Sequence, residues 1–174
     1  MLTKTHVTTH QALSARTNAT QQDFRDAMAQ LGAAVHVVTT DGPHGRAGFS
    51  ASAVCSVTDT PPTVLVCLNR ASSAHAATVG NGVVCINTLS ANQQLMSSVF
   101  SGKSTMAERF THGQWIERDG CAPALQGAAL WLDCRITDRV TVGTHDILVC
   151  EVARIEDNDM DSCLIYYNRQ YHPL

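Results

Sequence analysis

Four small residues, Ser50-Ala51-Ser52-Ala53, stand shortly before Asn69-Arg70 and Ser72-Ser73, and together they could hold a flat molecule carrying a phosphate. A planar ring rich in carbonyls and nitrogens needs a backbone that can approach its edge and donate hydrogen bonds. Side chains this small permit that approach. A phosphate tail needs hydroxyls, backbone N–H groups and a guanidinium, best placed near a helix start. Residues 46–70 also contain the support such a wall requires: a hydroxylated run, the Pro61-Pro62 stop and a rigid apolar strand over 64–68. On composition alone, a small-residue hairpin running into an ordinary helix start accounts for the same residues equally well.

Other chemistries lose their usual support. There is no GxGxxG after a strand, no GxxxxGK[ST], no GxSxG elbow, no HExxH and no EF-hand loop. Gly42, Gly45 and Gly48 are spaced GxxGxxG but fall in a hairpin turn. An enzyme with these residues would therefore lean on a bound organic cofactor. The seven cysteines show no CxxC and no metal-ligand spacing with histidine. Their apolar neighbours mark them as reduced core thiols of a cytoplasmic protein, with Cys55 and Cys67 as small pocket fillers. His6 and His10 have the spacing of two ligands on one helical face, but nothing around them would support a metal. His36, His44, His75 and His112 show no partner pattern and receive no role.

The 174 residues suit one domain with a real core. A net charge of −3 with scattered Lys and Arg disfavours nucleic acid, and the apolar runs are too short to form a membrane helix. Residues 1–21 read as a poorly ordered extension and residues 22–174 as the domain. Thr20 and Asp23 predict a helix start whose apolar stripe is Phe24, Ala27, Met28 and Leu31, ending at Gly32. Strands follow at 34–40 and, as two more, within 46–70. A short helix over 73–79 closed by Gly80-Asn81-Gly82, a strand over 83–88 and a helix from Ser90 to Phe100 come next. Alternation from Leu130 to Val140 predicts a long strand with one core face, then strands over 145–155 and 164–167, with Tyr171-His172-Pro173 trailing. So many strands and so few helices argue for an antiparallel barrel.

Gly48-Phe49-Ser50-Ala51-Ser52-Ala53, Ser56-Val57-Thr58-Asp59-Thr60-Pro61-Pro62, Val66-Cys67-Leu68-Asn69-Arg70 and Gly143-Thr144-His145-Asp146 occur in that order. Together they resemble the short-chain flavin reductase family over residues 22–173. Within it, Thr40-Asp41-Gly42-Pro43 and Arg46-Ala47-Gly48-Phe49 are most similar to the branch serving bacterial pyrimidine (uracil) degradation. The reductase components of two-component aromatic hydroxylases stand a step further off.

The resemblance implies a mainly β chain with a few helices, folded as an FMN-binding split β-barrel homodimer. It also implies an NADH:FMN oxidoreductase that hands reduced flavin to a separate flavin-dependent monooxygenase, with FAD or riboflavin as alternative flavins. Phe49, Ser50, Ala51, Ser52, Ala53 and Val54 would line the flavin ring. Cys67, Leu68, Asn69, Arg70, Ser72 and Ser73 would take its ribityl phosphate end. Ser101-Gly102-Lys103 and Arg109-Phe110 would reach the phosphate or the ring, and Tyr171 and His172 match a closing motif near the site. His145, in a Gly-Thr-His version of the family's Gly-Asp-His, would position the nicotinamide as the catalytic residue. A non-catalytic flavin-binding module and a haem-handling or oxidase relative are the competing readings.

Overall fold

The computed structural model describes residues 19–159 and 162–174. His6 and His10, with residues 1–18 of the expected extension, lie outside that range.

Helix α1 (Gln21–Ala29) opens on a reciprocal capping box: Thr20 Oγ1 accepts from the Asp23 N–H, and Asp23 accepts from the Thr20 N–H. Strands β1 (Ala33–Ala34), β2 (His36–Thr40), β3 (Ala47–Ala51), β4 (Val54–Asp59) and β5 (Pro62–Asn69) follow. Next come α2 (His75–Asn81), β6 (Val83–Thr88), α3 (Gln94–Ser101), α4 (Met106–Phe110) and the short strands β7 (Trp115–Ile116) and β8 (Ala124–Leu125). The long strands β9 (Leu130–Val142) and β10 (His145–Asp157) then lead to β11 (Leu164–Tyr167) and β12 (Gln170–Pro173).

Seven antiparallel strands form the main sheet in the order β3-β2-β6-β9-β10-β5-β4. Its two outermost strands, β3 and β4, are consecutive in the chain and separated only by Ser52 and Ala53. A sheet whose opposite edges are joined by two residues has to curl onto itself, which makes it a barrel. Val38, Phe49, Val66, Leu68, Ile86 and Leu148 fill its interior. A second core of Val37, Leu89, Met96, Phe100, Leu125 and Leu164 ties α3 and β8 to one flank of the barrel. Because β2 lies between the two cores, all five of its residues are buried, and it reads as a continuous run without alternation.

Residues 46–70 form three strands, β3, β4 and β5, where two are expected, because the Ser52-Ala53 link divides the first of them. Four further departures from the sequence reading have clear causes. The helix expected from Ser90 begins only at Gln94; the Gln93 side chain does accept from the Ser90 N–H, but the intervening residues form turns. The trailing residues 170–173 are a strand paired with β11 across an Asn168-Arg169 hairpin. Both turn residues have positive φ, the type I′ geometry, without the glycine that usually signals it. On β9, Trp131 and Asp133 are buried on the face expected to be mixed, because Arg118 lies over Trp131 and pairs with Asp133. Further along, Val140 and Val142 are exposed. Finally, the apolar stripe expected for α1 and the turn after it covers no core among the described residues: Phe24, Met28 and Leu31 are exposed, and polar bonds such as Tyr167 Oη to Gln30 Oε1 (3.2 Å) dock the helix.

Two residues here carry predictions. A Cβ on Gly48 would stand 2.6 Å from Phe100 Cε1, so Gly48→Ala must push that ring. The expected cost is about 1–3 kcal/mol by chemical denaturation, together with weaker ligand binding, because Phe100 also lines the main cavity described below.

His36 is buried, with Nδ1 3.1 Å from Thr88 Oγ1, and burial pushes its pKa down to about 4. Between pH 6.5 and 4 the unfolded chain therefore binds a proton that the folded chain refuses. Stability is complete above pH 6.5, falls as the pH drops towards 4 and is lost no further by this group below that. The drop is about 3 kcal/mol, read from urea midpoints, and His36→Gln should flatten it.

Candidate active site

A cavity of about 820 Å³ opens where the barrel closes. One wall is the end of β3 and its link to β4: Phe49, Ser50, Ala51, Ser52 and Ala53. These small side chains do not fill the space before them. The Ala53 carbonyl accepts from the Cys67 N–H at 3.0 Å, which ties this link to β5. A second wall is the end of β5 and the turn into α2, through Cys67, Leu68, Asn69, Ala71, Ser72 and Ser73. Asn69 Oδ1 accepts from the Ala71 N–H at 2.9 Å, an Asx-type turn that reverses the chain just past the strand. The third wall is the α3–α4 connection, with Ser101, Gly102 and Lys103 lining the space.

His145 stands at the rim. The β5–β10 register sets it opposite Asn69, so two motifs far apart in sequence meet across one rung of the ladder. The ring is exposed and lines the cavity; its Nδ1 lies 2.9 Å from Thr144 Oγ1, and Nε2 has no hydrogen-bond partner among the described residues. The threonine that departs from the Gly-Asp-His pattern is thus the residue that orients the imidazole.

Behind it, buried Asp146 accepts from Thr141 Oγ1 at 2.7 Å and lies 2.7 Å from His75 Nε2. The His75 bond, then the Thr141 bond, hold this carboxyl below the usual carboxylate range, against the opposing effect of burial. Its contribution to stability is therefore complete above the ordinary value of 3.8 and fades as the pH falls through the lower folded value. His75, given no role from sequence, links α2 to the strand that carries His145. The sequence offered no sign of this pair, whose members are 71 residues apart.

Arg109 is among the residues lining the main cavity, but its guanidinium is committed to the backbone. It is 5% exposed, and its guanidinium donates to the carbonyls of Ser104 (3.2 Å), Gly48 (3.1 Å), Phe100 (3.2 Å) and Gly102 (2.7 Å). Four of its five N–H groups are thereby engaged in holding the third wall against β3. Phe110 lies away from the cavity, packed edge-on against Phe100 at 5.3 Å. Val54 packs with the barrel core, and Arg70 is exposed beside the site without lining it. Tyr171 lines a smaller cavity of about 170 Å³ behind Ser50, Ala51 and Ser52. His172 lies on β12 with Nε2 3.3 Å from the Tyr167 carbonyl, apart from both spaces.

Cys67 lines the main cavity as expected, whereas Cys55 is exposed on β4 and does not line it. Cys85, Cys134 and Cys150 are buried, and burial pushes the Cys134 and Cys150 thiols up to about 12. None of the three is poised as a nucleophile. The sequence reading missed Ala71, Phe100, Ser104, Thr105 and Met106 as lining residues. One signal was present: Thr105 and Glu108 form a capping box that starts α4 and fixes this wall.

A barrel with a cavity of this size at its closure, walled by small residues, has the shape that suits a flat organic cofactor. The chain belongs to the flavin reductase like domain family, which it matches over residues 28–174. It is 54% identical over 154 residues to "FMN reductase (NADH) RutF" of Stutzerimonas stutzeri, covering 88% of each chain. The protein of the same name from Ancylobacter novellus is 56% identical over 152 residues, covering 87% of this chain and 84% of that one.

Among solved structures, a flavin reductase from Haemophilus somnus superposes with a TM-score of 0.86 at 46% identity, covering 89% of this chain and 99% of that one. BorF, the flavin reductase component of a bacterial two-component tryptophan halogenase, shares the fold with a TM-score of 0.82 at 24% identity, covering 89% and 98%.

Proposed function

We propose that this chain is an NADH-dependent FMN reductase that supplies reduced flavin to a separate monooxygenase, with pyrimidine degradation as the pathway. The observation that carries the reading is the cavity itself. Its size lies within the roughly 300–1,000 Å³ range of cofactor sites, and its lining matches what an FMN-sized molecule needs. Exposed backbone and hydroxyls at Ser50, Ala51 and Ser52 suit the edge of the flavin ring. The hydroxyls of Ser72 and Ser73 and the ammonium of Lys103 suit a phosphate. The hydride chemistry belongs to the two bound cofactors, passing from nicotinamide to flavin.

This chain's residues bind and align. His145, oriented by Thr144 and backed by the Asp146–His75 pair, holds the nicotinamide over the site. The relatives named as NADH-dependent FMN reductases support the choice of FMN and NADH. Purified protein should oxidise NADH when FMN is added. Absence of stimulation by FMN, FAD and riboflavin alike would overturn the reading, and parallel assays with NADPH fix the nucleotide preference. Transfer is tested by coupling the protein to a pyrimidine-cleaving flavin monooxygenase and measuring product.

The same reading includes a homodimer. Val57 on β4, Val140 and Val142 on β9, Phe24 and Met28 on α1, and Leu31 just past that helix are exposed apolar residues that a second copy would cover. Sedimentation equilibrium giving twice the mass of 18.7 kDa is the expected result. A cytoplasmic location fits the free cysteines. No helix among the described residues is long and apolar enough to cross a membrane.

A further inference from the structure

Three hydroxyls from three separate elements form a line into the cavity wall. Tyr171 Oη on β12 lies 2.9 Å from Ser97 Oγ on α3, which lies 3.0 Å from Ser50 Oγ on β3. Ser97 is 2% exposed, so its hydroxyl meets these two partners and no bulk water. Ser50 lines both the main cavity and the smaller one, and forms part of the wall between them.

The line has a direction. Each hydroxyl carries one proton and can accept twice, so two bonds among three hydroxyls use two protons and leave one spare. If both ends donated to Ser97, the spare proton would be that of Ser97, which is 2% exposed and has no further acceptor among the described residues. If that proton belonged to Tyr171, it would need a further acceptor, but Ser97 is the hydrogen-bond partner the phenol has among the described residues. A phenol is also a stronger donor than an aliphatic hydroxyl. The arrangement that satisfies every group has Tyr171 donating to Ser97 and Ser97 donating to Ser50. The Ser50 proton then points into the main cavity. Nearby Ser101 does not compete for this role, since its hydroxyl donates to the Ser97 carbonyl at 2.8 Å.

We infer that Tyr171 and Ser97 are positioning residues that fix Ser50 as a hydrogen-bond donor to the carbonyl and nitrogen edge of the bound flavin. Successive bonds in such a line polarise one another, so the terminal donor is stronger than an isolated serine. Tyr171 thereby acts on the flavin from the second cavity without touching it. The inference rests on the flavin reading above.

The test measures FMN binding by fluorescence quenching, without NADH, in the full chain. Ser50→Ala, Ser97→Ala and Tyr171→Phe are compared with the double variant Ser50→Ala/Tyr171→Phe. Tyr171→Phe keeps the ring packed against Tyr166, and Ser97→Ala removes only an oxygen, so the two changes perturb the fold in different ways.

Each single change should raise the Kd for FMN about threefold to tenfold, the worth of one hydrogen bond. The double variant should bind no worse than Ser50→Ala alone. The visible absorption band of FMN bound to Tyr171→Phe should take the shape it has in Ser50→Ala. Unchanged binding in Tyr171→Phe and Ser97→Ala, or losses that multiply in the double variant, would overturn the relay while leaving the flavin reading intact. Wild-type protein that binds no FMN would overturn the flavin reading and the relay with it.

Discussion

Arg109→Met is expected to weaken FMN binding by about 100-fold and to lower stability by about 3 kcal/mol. The reason is the state of the backbone around the guanidinium. Four carbonyls, those of Gly48, Phe100, Gly102 and Ser104, receive their bonds from this one side chain. Each buried carbonyl left without a donor costs roughly 1–3 kcal/mol, although relaxation and water entry recover part of the sum. Gly102 and Ser104 belong to the connection between α3 and α4, so their release loosens one wall of the cavity. Arg109→Lys should fall in between, because an ammonium lacks the planar fork that reaches several carbonyls at once. Urea denaturation and FMN titration on the same samples separate the possibilities. Lost binding at unchanged stability would mean that the guanidinium serves the ligand directly, as the sequence reading had it.

His145→Ala should reduce kcat/KM for NADH by about 100-fold while changing the Kd for FMN little. A loss of that size is what misplacing a reacting partner by an ångström produces. The imidazole is exposed at the rim and makes no bond to the small-residue wall, so its removal leaves that wall in place. Thr144→Val, which keeps the imidazole but removes its hydrogen-bond partner at Nδ1, should show a smaller loss of the same kind. Steady-state kinetics with NADH varied at saturating FMN supply the comparison. Unaltered turnover in His145→Ala would remove it from the site and leave positioning to the walls alone.

Much of this architecture was legible where local chemistry settles the conformation. Thr20 and Asp23 announce α1, and Gly82 in a left-handed conformation closes α2, whereas the small residues 50–53 fit a pocket wall and an ordinary hairpin equally well until the family resemblance is added. What escaped depends on partners distant in sequence. Arg109 reads as a free cation until Gly48, 61 residues away, is brought beneath it. His75 and Asp146 become a pair only after β10 has returned alongside β5. The final hairpin was hidden for a different reason: Asn168 and Arg169 both adopt positive φ without a glycine. On β9 the alternation misled, because Trp131 and Asp133 are covered by Arg118 on the face that a simple pattern gives to solvent.

The joining of the sheet's two edges through Ser52 and Ala53 also bears on the order in which the molecule folds. The hairpin contacts of β2 with β3 and of β4 with β5 are local, and chain entropy hinders them little. The rungs that complete the barrel are not: β5 meets β10, and β6 meets β9, across long intervening stretches. Non-local pairing of this kind slows folding into the range of roughly milliseconds to seconds. His145 reaches Asn69 only when that last ladder closes, so the rim and the walls come together at the end. A flavin would then have no formed site to bind during early folding, and its effect would appear as slower unfolding of the finished barrel.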